Sequence, residues 1–146
     1  MGRTDLRILI VESDREQGDL LAAALSVDGH QVSVATSGGS SIELALREVP
    51  DAVVLAIGLP DVNGYEIARQ LRAGRLPDAS VIVAVTASGE EAPREVTSLI
   101  DLQLSRPIDY DLVSGLLHFL HEKRRHRPLA APTPSSIGSV EGRRRR

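Results

Sequence analysis

Short apolar runs alternate with longer amphipathic stretches along this chain. Leu6–Val11 is apolar at every position except Arg7, which predicts a strand buried on both faces. From Asp14 to Asp28, Leu20, Leu21, Ala24 and Leu25 share one face of a helix, and Gly29 supplies a C′ residue after it. Gln31–Ala35 alternates, with Val32 and Val34 apolar, and suits an edge or half-buried strand. Ile42, Ala45, Leu46 and Val49 have the i, i+3, i+4, i+7 spacing of a second helix, stopped by Pro50. Ala52–Ile57 predicts a central strand, and Gly64–Ala73 a short third helix with Ile67, Ala68 and Leu71 inside. Val81–Val85 predicts a fourth strand, Val96, Leu99 and Ile100 a thinly patterned fourth helix, and Leu102–Leu104 a brief fifth strand. Leu112, Val113, Leu116, Leu117 and Leu120 form the apolar face of a last helix.

Helix starts add independent signals. Ser13-x-x-Glu16, Ser40-x-x-Glu43 and Ser88-x-x-Glu91 each fit a capping box, and Asn63 can cap the third helix. Agreement between caps and periodicity supports a (βα)5 chain, an α/β fold with one doubly wound parallel five-stranded sheet and helices on both faces. Ligand sites in such sheets lie at the carboxyl ends of the strands. That directs attention to Glu12–Asp14, Ala56–Gly58, Thr86–Ala87 and Ser105–Pro107.

Composition narrows the function classes. The 146 residues suffice for one domain with a core, and aromatics at 2% leave that core to Val, Ile, Leu and Ala. The absence of Cys excludes disulfides and thiolate metal sites and fits a cytoplasmic setting. No apolar run reaches the roughly 18 residues of a membrane span, and the first residues lack the apolar centre of a signal peptide. The net charge of −3 is unevenly spread. Residues 121–146 hold eight basic and two acidic side chains, net +6, which leaves −9 on the rest. Helical periodicity stops after residue 121; Pro128, Pro132, Pro134 and the terminal Arg143–Arg146 run read as a disordered basic tail over 122–146. The four histidines, His30, His118, His121 and His126, show no metal-ligand spacing with a carboxylate partner, and no phosphate-binding P-loop is present, so an enzyme is not expected.

The four strand ends, the Leu59-Pro60-x-x-Asn63-Gly64 loop, the Thr86-Ala87 pair and the Arg106-Pro107 step together resemble the receiver domains of two-component response regulators, over roughly residues 5–121. The resemblance implies a flavodoxin-like, single-domain receiver architecture. It also implies roles residue by residue. The family's two metal-binding acids fall on Glu12 and Ser13, with Asp14 next. Its phosphoacceptor aspartate falls on Ala56, which has only a methyl group, and its metal-binding carbonyl on Gly58. The switch hydroxyl falls on Thr86 and the switch aromatic on Gln103. The lysine falls on Arg106, and Pro107 follows the family's cis bond. Two of the usual carboxylates are missing, so Mg²⁺ binding is expected to be weak or absent, with no cofactor. Glu12 and Asp14 are read either as a retained acidic pocket or as solvated acids favoured by a helix N-terminus. Ser13 is expected to be the N-cap, and Thr86 to bond locally. Arg106 is expected either to pair with Glu12 or Asp14 or to point to solvent. From Thr86 to Arg106 the segment is about two residues shorter than the family's, so the face around the fourth helix is expected to be remodelled.

The leading expectation is a degenerate receiver that acts by phosphorylation-independent protein interaction. Its partner would be a histidine kinase, another receiver or an output protein, and a homodimer is allowed. The alternative is an adaptor that binds nucleic acid or an anionic surface through its Arg-rich tail. The acidic body and the lack of tail aromatics argue against nucleic acid.

Overall fold

The computed structural model describes residues 5–87 and 91–126. Five parallel strands form one sheet in the order β2-β1-β3-β4-β5. They are β1 (Arg7–Val11), β2 (Gln31–Ala35), β3 (Ala52–Ala56), β4 (Val81–Thr86) and β5 (Leu102–Ser105). The helices are α1 (Arg15–Val27), α2 (Gly38–Glu48), α3 (Gly64–Gln70) and α4 (Tyr110–Arg125). Every residue of β3 and β4 is buried, as their unbroken apolar runs require. Register pairs Val11 with Ala35 and with Leu55, and Ala56 with Val85, so the carboxyl ends of the three central strands open on one rim.

Two cores flank the sheet. Leu9, Val11, Val53, Leu55 and Ile82 face Ala45 of α2 and Ile67 and Ala68 of α3. On the other face Ile8, Ile10, Val54 and Val83 meet Leu21 and Leu25 of α1 and Val113 and Leu117 of α4. Alternate residues of each strand thus serve opposite layers.

Several expectations need correction. The predicted fourth helix is only a 3₁₀ turn, Arg94–Val96. Only Val96 there is fully buried, and the Thr97 hydroxyl bonds back to the Arg94 carbonyl at 2.9 Å, competing with continuation of the helix. Asp14, not Ser13, caps α1, its carboxylate accepting from the amides of Glu16 and Gln17. Ser37, not Ser40, caps α2. Asn63 does cap α3. Ser88 lies outside the described residues. Helix α3 gives way to a π turn, Leu71–Arg75, where Gly74 takes φ 136°. Helix α2 ends at Glu48, with Val49 at φ 47° before Pro50. Helix α4 continues through Glu122–Arg125, four residues assigned above to a disordered tail.

Arg124 explains that extension. Its Nε donates to Asp101 Oδ1 at 2.8 Å, and its Nη1 donates to the Asp78 carbonyl. Asp101 Oδ2 accepts from Arg72 at 2.9 Å and from the Ile82 amide at 2.9 Å. The three charged side chains are between 12% and 14% exposed. This network ties the π turn after α3, the entry to β5 and the last turn of α4.

Candidate functional site

The rim at the carboxyl ends of β1, β3, β4 and β5 gathers the residues singled out by sequence. Glu12 follows β1 and is held by its own amide, which donates to the Ala35 carbonyl at 2.9 Å. Its side chain turns inward and is 12% exposed. One carboxylate oxygen accepts from the Asp14 amide at 3.1 Å, and the other from Arg106 at 2.6 Å. The short α1–β2 separation that frames Glu12 depends on Gly18. A Cβ there would stand 3.2 Å from Val34 and 3.6 Å from the Glu12 Cβ.

Arg106 comes from the end of β5. Its amide donates to the Thr86 carbonyl at 3.0 Å, and a cis bond to Pro107 follows. The guanidinium is 35% exposed and leans across the rim onto Glu12. Of the two partners expected for Arg106, the structure selects Glu12. Asp14 is instead spent on capping α1, and half-exposed Ser13 lies between the two acids.

Ala56 ends β3 with its methyl buried at 4% exposure. The chain then turns through a bridge between Gly58 and Asn63. Gly64 is required at the start of α3, because a Cβ would lie 2.6 Å from the Ala56 carbonyl oxygen. A cavity of about 10 Å³, near the volume one water needs, is lined by Ala56, Glu12, Arg106, Val54 and Val85. Above it an open cleft is lined by Glu12, Asp14, Gln17, Ala87, Arg106 and Pro107.

Thr86 is buried, and its hydroxyl accepts from the Gln103 amide at 3.3 Å. The Gln103 side-chain Oε1 accepts from the Ala92 backbone amide at 3.0 Å. The Gln103 side chain therefore links Thr86 to the crossover from β4 to β5. Sequence reasoning found Gln103 but not this bridge, since Ala92 carries no side-chain signal. Asp61, the nearest other carboxylate in the β3–α3 loop, faces away. It accepts from the amides of Gly38 and Gly39 at the start of α2, bonds that hold its carboxyl below the usual range.

The chain belongs to the response regulator receiver domain family, whose model matches residues 8–110. It is 36% identical to PilH of Pseudomonas aeruginosa over 88 residues, which cover 60% of this chain and 73% of PilH. It is 40% identical over 67 residues to response regulator MprA of Mycobacterium leprae, covering 46% of this chain and 29% of MprA. A CheY-like receiver domain from Methylobacillus flagellatus superimposes with a TM-score of 0.71 at 28% identity, covering 78% of this chain and 97% of that one. No helix among the described residues is long and apolar enough to cross a membrane.

Proposed function

We propose that this receiver domain works without accepting a phosphoryl group and signals by binding other proteins, in the cytoplasm. The observation that carries this reading is the pairing of Ala56 with a closed Arg106–Glu12 bridge. In the resemblance drawn from sequence, residue 56 is the phosphoacceptor, and a methyl group offers no oxygen to a phosphoryl donor. The cation at the lysine position is already neutralised by Glu12 at 2.6 Å. It therefore has a partner without any phosphoryl group, which favours one standing conformation over a switch between two.

The same geometry fits Mg²⁺ poorly. A hard dication needs several anionic oxygens to replace its water. Here Glu12 is bonded to a guanidinium, Asp14 to two helix amides, Ser13 is neutral, and Ala56 contributes nothing. No cofactor and no catalysis are assigned to the site. The protein partner belongs to the class of histidine kinases, receivers or output proteins. The tail-based alternative loses one of its cations, because Arg124 is committed to Asp101 inside the fold.

Intact-mass measurement after incubation with Mg²⁺ and acetyl phosphate tests the reading. No phosphorylated species is expected. A stoichiometric adduct mapped to Asp61 or Glu12 would overturn it.

A further inference from the structure

His30 is a buried titratable group that the rim does not use. It directly precedes β2 and is 7% exposed. Its ring is pinned from two sides. Nδ1 accepts from the amide of Leu6, the residue before β1, at 2.8 Å. Nε2 then carries the proton and donates to the Ser114 hydroxyl of α4 at 2.8 Å. One imidazole thus ties the starts of β1 and β2 to the last helix, beside the apolar core that α1 and α4 share.

Only the neutral ring can make this tie. A second proton would go to Nδ1 and set two donors against each other across 2.8 Å, and the buried Leu6 amide would lose its acceptor. The ring must leave that position to keep the proton. Partners for the charged form lie beside it. Asp28 is the C-cap of α1, two residues earlier, and Asp5 precedes Leu6; both carboxylates favour a charged His30. The last turn of α1 holds no basic residue, so an imidazolium there would meet the negative end of the helix unopposed. Burial and His118 of α4 act in the other direction. Glu122, which lines the same groove, is held by Arg125 and His126.

We propose that His30 is a proton-operated latch on α4. Neutral, it ties Ser114 to the Leu6 amide; protonated, it releases both and pairs with Asp28 and Asp5. Burial keeps the latch closed at and above the ordinary histidine value of about 6.5, and it opens as pH falls below that. The far end of α4 stays docked. A protonated His121 gains attraction for Asp51, 3.6 Å away, and Arg124 keeps its bond to Asp101 throughout this range. The opening is therefore local to the first half of α4 and the start of β1, and it does not depend on whether the rim accepts a phosphoryl group.

Amide hydrogen exchange and ring ¹⁵N NMR of the full chain between about pH 7.5 and about pH 5 test the latch. Protection of the Leu6 amide is expected to fall about fivefold or more beyond that of Val54, a buried strand amide that reports global opening. At the upper pH the His30 ring should carry its proton on Nε2 alone. Nδ1 should gain one with the same midpoint at which the Leu6 and Ser114 amide signals move. In His30→Gln the excess loss at Leu6 should vanish, because that side chain keeps one acceptor and a donor without titrating. Leu6 protection that falls only in step with Val54 overturns the proposal. So does an excess loss that persists in His30→Gln, or a ring already protonated on Nδ1 at about pH 7.5. If His30→Gln does not fold, the midpoints in the full chain decide: equal ring and amide midpoints support the latch, and separate ones overturn it.

Discussion

At the rim of the sheet, Arg106 meets Glu12 across 94 positions of sequence. The bridge is short and partly desolvated, and the carboxylate is the more buried partner. Truncating the arginine would leave that carboxylate with only the Asp14 amide. Loss of one partner of such a pair costs more than the pair contributes. Arg106→Ala is therefore expected to lower stability by about 1–2 kcal/mol, seen as a fall of several degrees in Tm. An unchanged Tm would mean the bridge contributes nothing. Arg106→Lys, which keeps the charge but loses the planar fork, should fall between the two. The pocket was visible in the sequence because its residues sit at strand ends that a (βα)5 pattern fixes. The choice of Glu12 over Asp14 was not, since both acids follow β1 and only the start of α1 at Arg15 commits Asp14 to capping. Ser13 and Asp14 are both good caps, so a one-residue shift was beyond sequence pattern.

Among the elements, the crossover from β4 to β5 departs most from expectation. Val96, Leu99 and Ile100 have helical spacing, yet three residues cannot distinguish a helix from a single turn when Pro93 precedes them and Thr97 and Ser98 interrupt. The strands were legible because β3 and β4 are continuous apolar runs buried on both faces. Arg124 was not legible because composition assigns it to a basic tail, and its role depends on Asp101 and Asp78, far away in sequence. Two predictions belong here. Asp101→Asn would leave Arg72 and Arg124 facing each other's charge with no carboxylate between them, at a cost of about 2–4 kcal/mol in urea unfolding. A chain ending at Lys123 should be destabilised in the same way, whereas one ending at His126 should match the full chain. Equal stability of the two truncations would remove Arg124 from the fold. Gln103→Ala should accelerate hydrogen exchange at the Ala92 amide. Unchanged exchange there would mean that the Gln103 side chain does not hold the crossover.

Across the whole molecule, a buried histidine joins the layers. His30 Nδ1 accepts from the Leu6 amide at 2.8 Å, so its proton is on Nε2, which bonds the Ser114 hydroxyl of α4 at 2.8 Å. Burial lowers the His30 pKa, partly offset by Asp28 and Asp5, and His118 lowers it further. His121, buried against Asp51, is lowered as well, again chiefly by desolvation. A histidine whose folded pKa lies below its unfolded value binds fewer protons folded than unfolded. Its contribution to stability is therefore complete above about pH 6.5 and is lost as pH falls through that value toward the folded pKa. Urea unfolding is expected to show stability falling between pH 7 and pH 5, with a shallower fall in His30→Gln; a flat profile would contradict both assignments. The fold rests on Val, Ile and Leu packed on both faces of the sheet, not on the pocket carboxylates. The claim that the pocket is closed to phosphoryl chemistry is tested most directly by a titration with Mg²⁺ and beryllofluoride followed by amide NMR. Absence of saturable shifts at Glu12, Ala56, Thr86 and Arg106 is the predicted result. Saturable shifts at those amides, with a stoichiometry near one, would contradict it.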